Sequence, residues 1–279
     1  MKRGGLAISA QGFTMIETLI VLAVTGILFV SAALMINGRQ SRTDFQVGVR
    51  NLQQRLQQII NQTASGHYPN NGNFSCAVAG PPLQISAGST SQGQNQACIF
   101  AGTTVVFGGS GSYGSADTYG VYPLAGRRAI GSEDVKTPQE ARLTAVASST
   151  ANPSAPVVEK VVLPNGLTYV KARRADPGAW TTNPFATAFL SSFGNFQGAS
   201  GNTGGSQQLN LSTYSNWSSI ETDANNINEE AKRGSVQYPI ASSGVEYCFN
   251  SGGTDQSVII NISAGLSVTT SIKTGVGCP

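Results

Sequence analysis

Charge is scarce in this sequence. Asp, Glu, Lys and Arg make up 11% of its 279 residues, 17 basic side chains against 14 acidic ones, where a globular domain usually carries about 25%. So small an excess of base builds no face able to release counterions from phosphate, which argues against nucleic acid as a partner. The near balance also excludes an acidic solvating tail and a charge-extended disordered chain. Histidine is reduced to His67, with no cysteine at zinc-finger spacing, and no C-x-x-C occurs. No metal site is therefore expected. Gly-x-Ser-x-Gly and His-Glu-x-x-His are both missing, so no catalytic residue, cofactor or enzymatic activity is read from the chain. Proline is absent from Met1 to His67, which leaves room for a long unbroken helix. Ser, Thr, Asn, Gln and 33 Gly take the place of charge, and a 40% hydrophobic fraction suffices for one core of roughly 200 residues with a segment to spare.

The spare segment is N-terminal. Thr18 to Ile36 is a run of 19 residues without formal charge, mostly Leu, Ile, Val, Ala, Phe and Met. As a helix it rises about 28 Å, matching the ~30 Å hydrocarbon core of a bilayer. It is apolar all round, as a membrane span is and an amphipathic surface helix is not. Lys2 and Arg3 resemble the charged start of a secretory signal, but no Ala-x-Ala cleavage site follows the run, where the chain reads Ile36-Asn37-Gly38-Arg39. Glu17 stands just inside the span. At the centre of a membrane a carboxylate costs ~2.5–3.5 kcal/mol on insertion scales, and less near the interface. It reads either as an interfacial carboxylate beside the positive end of the helix dipole or as a group awaiting a partner.

Gly12-Phe13-Thr14-Met15-Ile16-Glu17-Thr18-Leu19-Ile20-Val21-Leu22 resembles the N-terminus of type IV prepilins and pseudopilins. The resemblance covers about 25 residues. It implies a leader cut on the cytoplasmic side after Gly12 by a prepilin peptidase, a new N-terminus at Phe13 that is N-methylated, and Glu17 as the family's characteristic carboxylate. The apolar helix then stays on the mature chain. The ammonium at Phe13 lies one helical turn from Glu17, so in a filament of packed helices one subunit's carboxylate can neutralise its neighbour's amine. A pair in a dry bundle costs far less than either ion alone, and it gives register to otherwise non-directional contacts. Removal of Lys2 and Arg3 leaves 15 basic against 14 acidic side chains, a nearly neutral mature subunit.

Beyond the span, Asn37-Gly38 interrupts the apolar run and is a place where the helix can soften. Phe45, Val49, Leu52, Leu56 and Ile59 then recur every three or four residues, a single apolar stripe. Arg50, Gln53, Gln54, Arg55 and Gln58 occupy the other sides, and Ser65-Gly66 ends the pattern. A helix from Phe13 to Ala64 would be about 78 Å long. Strand patterns follow: Cys98–Phe100, Thr104–Phe107, Val157–Leu163, Leu167–Val170, and a closing meander of Val245–Phe249, Ser257–Ile262 and Leu266–Ile272. Asn165-Gly166 between two β-rich runs is the signature of a hairpin. The meander's layout is similar to the C-terminal sheet of minor pseudopilins. Residues 108–119 and 197–206 are Gly/Ser-rich loops, and 215–234 is Asn-rich.

Four cysteines, Cys76, Cys98, Cys248 and Cys278, in a head exported to an oxidising space read as disulfides, the alternative being buried thiols. Three pairings are open. The local one, Cys76–Cys98 and Cys248–Cys278, is preferred, and its second bond would clip the C-terminus as the C-terminal disulfide loop does in many pilins. Asp223–Glu230 is calcium-loop-like but carries Ile227 and Asn228 where the EF-hand template does not allow them. Arg127-Arg128 and Lys171, Arg173, Arg174 read as solvated surface, and five Asn-x-Ser/Thr sequons are what chance supplies in so polar a head.

The expectation is an α+β chain: a 1–12 leader that is cleaved, a 13–37 transmembrane and filament-core helix, a 38–64 amphipathic continuation, and a β-rich 65–279 head outside the cytoplasm. The resemblance implies a pilin or minor pilin of a type IV pilus-like filament, for adhesion or motility, with a type II secretion pseudopilin or a DNA-uptake minor pilin as alternatives. Its implied partners are the prepilin peptidase, other pilin subunits, and the membrane assembly platform with its ATPase motor. The implied location is single-pass in the inner membrane, N-terminus in the cytoplasm, before assembly into a surface or periplasmic filament.

Overall fold

The computed structural model describes residues 14–66, 74–77, 84–87, 97–108, 115–136, 138–141, 143–145, 159–175, 178–191, 209–215, 244–252, 255–275 and 277–278; the side chains of 33–39, 74–77, 84–87, 138–139, 144–145, 210, 212 and 214–215 are outside that description. The Gly12–Phe13 junction, His67, the calcium-like loop at 223–230 and the Cys76 side chain therefore lie outside the described residues. The chain is α+β, an N-terminal apolar helix followed by β-rich sheets.

Helix α1 spans Met15–Ala64, running through Asn37–Gly38. It stops where Ser65 and Gly66 bond back to Asn61 and Thr63 and Gly66 takes φ +68°, the left-handed end that glycine supplies without strain. Strands follow as β1 Phe74–Ala77, β2 Gln84–Ala87, β3 Cys98–Phe107, β4 Thr118–Arg127, β5 Ala129–Ile130 and β6 Glu133–Asp134. After the short helix α2, Pro138–Ala141, come β7 Thr144–Ala145, β8 Glu159–Val162, β9 Leu167–Arg174, β10 Phe185–Ser191 and β11 Leu209–Ser215. The closing strands are β12 Val245–Ser251, β13 Gln256–Ile262 and β14 Val268–Thr274. Two compact units result, residues 1–44 and Phe45–Pro279, dividing inside α1 where the buried stripe starts.

In the second unit a six-stranded antiparallel sheet runs β11-β10-β3-β4-β7, with β8 also on β4, and a four-stranded one runs β14-β13-β12-β9. The expected meander is β12-β13-β14, each strand paired antiparallel with the next. Phe45, Val49, Leu52, Leu56 and Ile59 are buried with Phe107, Tyr119, Phe189, Tyr247, Phe249 and Ile260 in one core between the helix and the two sheets. The six-stranded sheet is buried on its other face too. Strand alternation sends Val106, Tyr122, Leu124, Ala186, Ala188 and Leu190 there, under Val135, Ala141 and Leu143.

The Asn165-Gly166 hairpin is not formed. Pro164–Gly166 is a 3-10 turn with Asn165 at φ 52° and Gly166 at φ 68°, so the pair does adopt the left-handed backbone its residues favour. The flanking strands nevertheless part, β8 to β4 and β9 to β12. Leu163 and Leu167 on either side are both buried in the core. The turn sits against Gly48 of α1, where a Cβ would meet the Pro164 carbonyl oxygen at 2.9 Å.

Candidate functional site

The first unit presents the candidate site, the beginning of α1. Thr14 is its N-cap: the Glu17 amide donates to the Thr14 carbonyl at 3.0 Å and to Thr14 Oγ1 at 3.3 Å, and the Thr18 amide donates to the same carbonyl at 3.2 Å. Glu17 is thus the third helical residue, and it is exposed. Met15–Ala32 is long and apolar enough to cross a membrane, and none of it is buried within the chain; Phe29, for example, is 77% exposed. The hydroxyls in this stretch are satisfied inside the helix. Thr18 Oγ1 donates to the Met15 carbonyl at 2.9 Å, Thr25 Oγ1 to that of Val21 at 2.7 Å, and Ser31 Oγ to that of Ile27 at 2.8 Å. Such back-bonding lets hydroxyls enter lipid without leaving a donor bare. The Glu17 carboxylate is different: it makes no hydrogen bond or ion pair with any described residue.

In the head, Cys248 and Cys278 are joined by a disulfide across a Cα–Cα distance of 5.8 Å, and Cys98 is disulfide-bonded as well. The basic clusters are engaged. Arg173 binds Glu246 at 2.6 Å and stacks on Trp180 with its guanidinium carbon 4.5 Å from the ring centre. Arg174 Nε donates to Thr213 Oγ1, and Arg127 Nε to the Glu140 carbonyl. The polar sides of α1 are also more committed than their periodicity implied. Gln53 Nε2 donates to the Val268 carbonyl at 2.8 Å, the Val268 amide donates to Gln57 Oε1 at 3.3 Å, and Arg55 pairs with Glu159. Nothing in the local pattern marks those glutamines, since their partners are some 210 residues away. Thr14 did have a signal, the Thr-x-x-Glu spacing of a capping box.

An apolar helix opening on an N-cap threonine and one unpartnered carboxylate is the geometry with which the comparison agrees. Residues 9–33 match the family model of the prokaryotic N-terminal methylation motif. The methylation motif is consistent with a type IV prepilin- or pseudopilin-like protein and supports processing by prepilin peptidase and pilus assembly in general. With the apolar helix it suggests a membrane-anchored, structural subunit. No curated protein and no solved structure matches the chain significantly.

Proposed function

We propose that this protein is a structural subunit, pilin or minor pilin, of a type IV pilus-like filament that serves adhesion or motility. The observation that carries the reading is the Glu17 carboxylate, the single ionisable side chain between Thr14 and Ile36 and without a described partner on a helix whose hydroxyls are satisfied. Cleavage after Gly12 frees the Phe13 amine, and methylation keeps it cationic. In the membrane-held monomer Glu17 lies near the interface and is solvated by headgroups. In the filament, where water is excluded, it neutralises the Phe13 ammonium of the adjacent subunit. The assembly platform and its ATPase motor supply the work of extraction, and the head faces outward.

Glu17→Ala tests this. Cleavage, insertion and head folding should persist, with the mature chain beginning at N-methylated Phe13 by mass spectrometry. Incorporation into filaments should fall more than a hundredfold, because breaking one partner of a buried pair costs ~3–5 kcal/mol. Glu17→Gln should be milder, since an amide hydrogen-bonds an ammonium without neutralising it. Wild-type levels of the alanine variant in sheared filaments, read by electron microscopy and immunodetection, would refute the pairing.

A further inference from the structure

We propose that the outer face of the β14-β13-β12-β9 sheet binds an acidic saccharide, with Trp180 as the platform for a sugar ring and Lys171 as the partner of its carboxylate. The proposal deepens the adhesive reading above and rests on it for its setting, a head that meets surfaces outside the cell. Strand register lays the face out. Ala172 and Thr181 exchange backbone hydrogen bonds at 2.9 and 2.8 Å along the edge of β9, which sets Trp180 beside Arg173. Arg173 lies opposite Glu246, Glu246 opposite Asn261, and Asn261 opposite Thr269. Their sequence neighbours Ala172, Tyr247, Ile260 and Val268 fill the core, so alternation turns this row outward. At ~4.8 Å between strands the row runs about 19 Å, room for several linked sugar rings.

Beside Trp180 the charge does not balance. Arg173 Cζ lies 4.5 Å and Lys171 Nζ 5.4 Å from the ring centre. Arg173 is neutralised by Glu246 at 2.6 Å, but Lys171 has no carboxylate or hydrogen-bond partner among the described residues. Arg174 leaves on the other side of the strand, to Thr213. One uncompensated ammonium suits a sugar bearing one carboxylate, whereas a nucleic-acid strand needs cations that track its backbone. Both cations rise from β9 against the indole, and Trp180 is only half-buried. Ring surface is thus left for the C–H side of a sugar, which packs on an aromatic face as apolar surface does. Asn261 is a second pointer. It is half-buried, and its Oδ1 is shielded without a hydrogen bond. A turn of the side chain presents that acceptor to a sugar hydroxyl and relieves an oxygen otherwise left bare.

Full-length chains carrying Trp217→Phe, in detergent micelles, leave Trp180 as the sole tryptophan. Trigalacturonate should shift its emission saturably, and should bind more tightly than neutral maltotriose, polyglutamate or a single-stranded oligonucleotide. Lys171→Met keeps an apolar stem against the ring and should weaken trigalacturonate about tenfold, the scale of one charge-assisted contact. Trp180→Ala, followed by calorimetry, should lose binding while its sheet signal in circular dichroism persists. Absence of a saturable response in the parent chain overturns the proposal, as does unchanged affinity in Lys171→Met or Trp180→Ala. Maltotriose binding as tightly as trigalacturonate overturns the part given to the carboxylate, and polyglutamate or the oligonucleotide binding as tightly overturns the saccharide. Binding is read on unassembled chains. A Glu17→Ala chain that fails to assemble should still bind trigalacturonate, so failure of this proposal and failure of the filament reading are seen apart.

Discussion

Leu56 is fully buried, 0% exposed, in the core that α1 shares with both large sheets. Truncation there removes contacts to helix and sheets at once and leaves a hole that rigid strands cannot close. Leu56→Ala should cost ~2–5 kcal/mol, measured by denaturant unfolding of the full chain in detergent, and a change under ~1 kcal/mol would show that the stripe is not the seam of the fold. Gly48 works by the opposite logic. An alanine there would gain about 1 kcal/mol of helix propensity, but its Cβ would lie 2.9 Å from the Pro164 carbonyl oxygen and 3.1 Å from the Asn165 Cβ. Absence of a side chain is what lets the turn between the two sheets rest on the helix. Trp180 and Glu246 bracket Arg173 in a similar division of labour, the ring covering the guanidinium and the carboxylate neutralising it.

The β12-β13-β14 meander is held at its free end by two devices. Gln53 and Gln57, one helical turn apart, take the carbonyl and the amide of Val268 where β14 begins. Cys278 is bonded to Cys248 in β12 just past the other end of β14, closing a sequence separation of 30 residues. A loop of that size is worth roughly 3–4 kcal/mol in the chain-entropy model. The paired Cys248→Ser, Cys278→Ser chain should lose about that much stability while keeping its sheet signal in circular dichroism. Peptide mapping without reductant should recover the 248–278 link together with one between Cys76 and Cys98. A free thiol on either of the last two would contradict the local pairing.

At the scale of the whole chain, net charge at neutral pH is small, and the buried phenols carry a pH response at the alkaline end. Burial pushes Tyr119 up to about 12, partly offset by the nearby Arg55, and pushes Tyr169 and Tyr247 up in the same way. An unfolded tyrosine loses its proton near 10. Between these values the unfolded chain binds fewer protons than the folded one, so stability intact below pH 10 falls as the pH rises through about 12. Tyrosinate absorbance should therefore grow together with loss of β-sheet signal. Full ionisation of Tyr119, Tyr169 and Tyr247 in a still-folded protein would contradict their burial.

Much of this protein was legible in local pattern. The apolar run, the stripe from Phe45 to Ile59, the end at Ser65-Gly66 and the alternation in the closing strands are set by helical and strand periodicities, which act within a few residues, whereas Gly12, Phe13 and Glu17 stand out only through a resemblance. What the tertiary structure decided was partnership. Asn165 and Gly166 specify a left-handed turn, but whether β8 and β9 pair with each other or with β4 and β12 depends on which arrangement buries Leu163 and Leu167 against α1. Gln53 reads as a residue on the side of α1 away from the stripe, because hydrogen bonds such as those of Gln53 and Gln57 to a strand more than 200 residues away leave no trace in their neighbours. At the head of α1 the two levels meet. The spacing Thr-x-x-Glu allows a capping box with two arms, and among the described residues only the arm from the Glu17 amide to Thr14 Oγ1 is made, beside that amide's shorter bond to the Thr14 carbonyl.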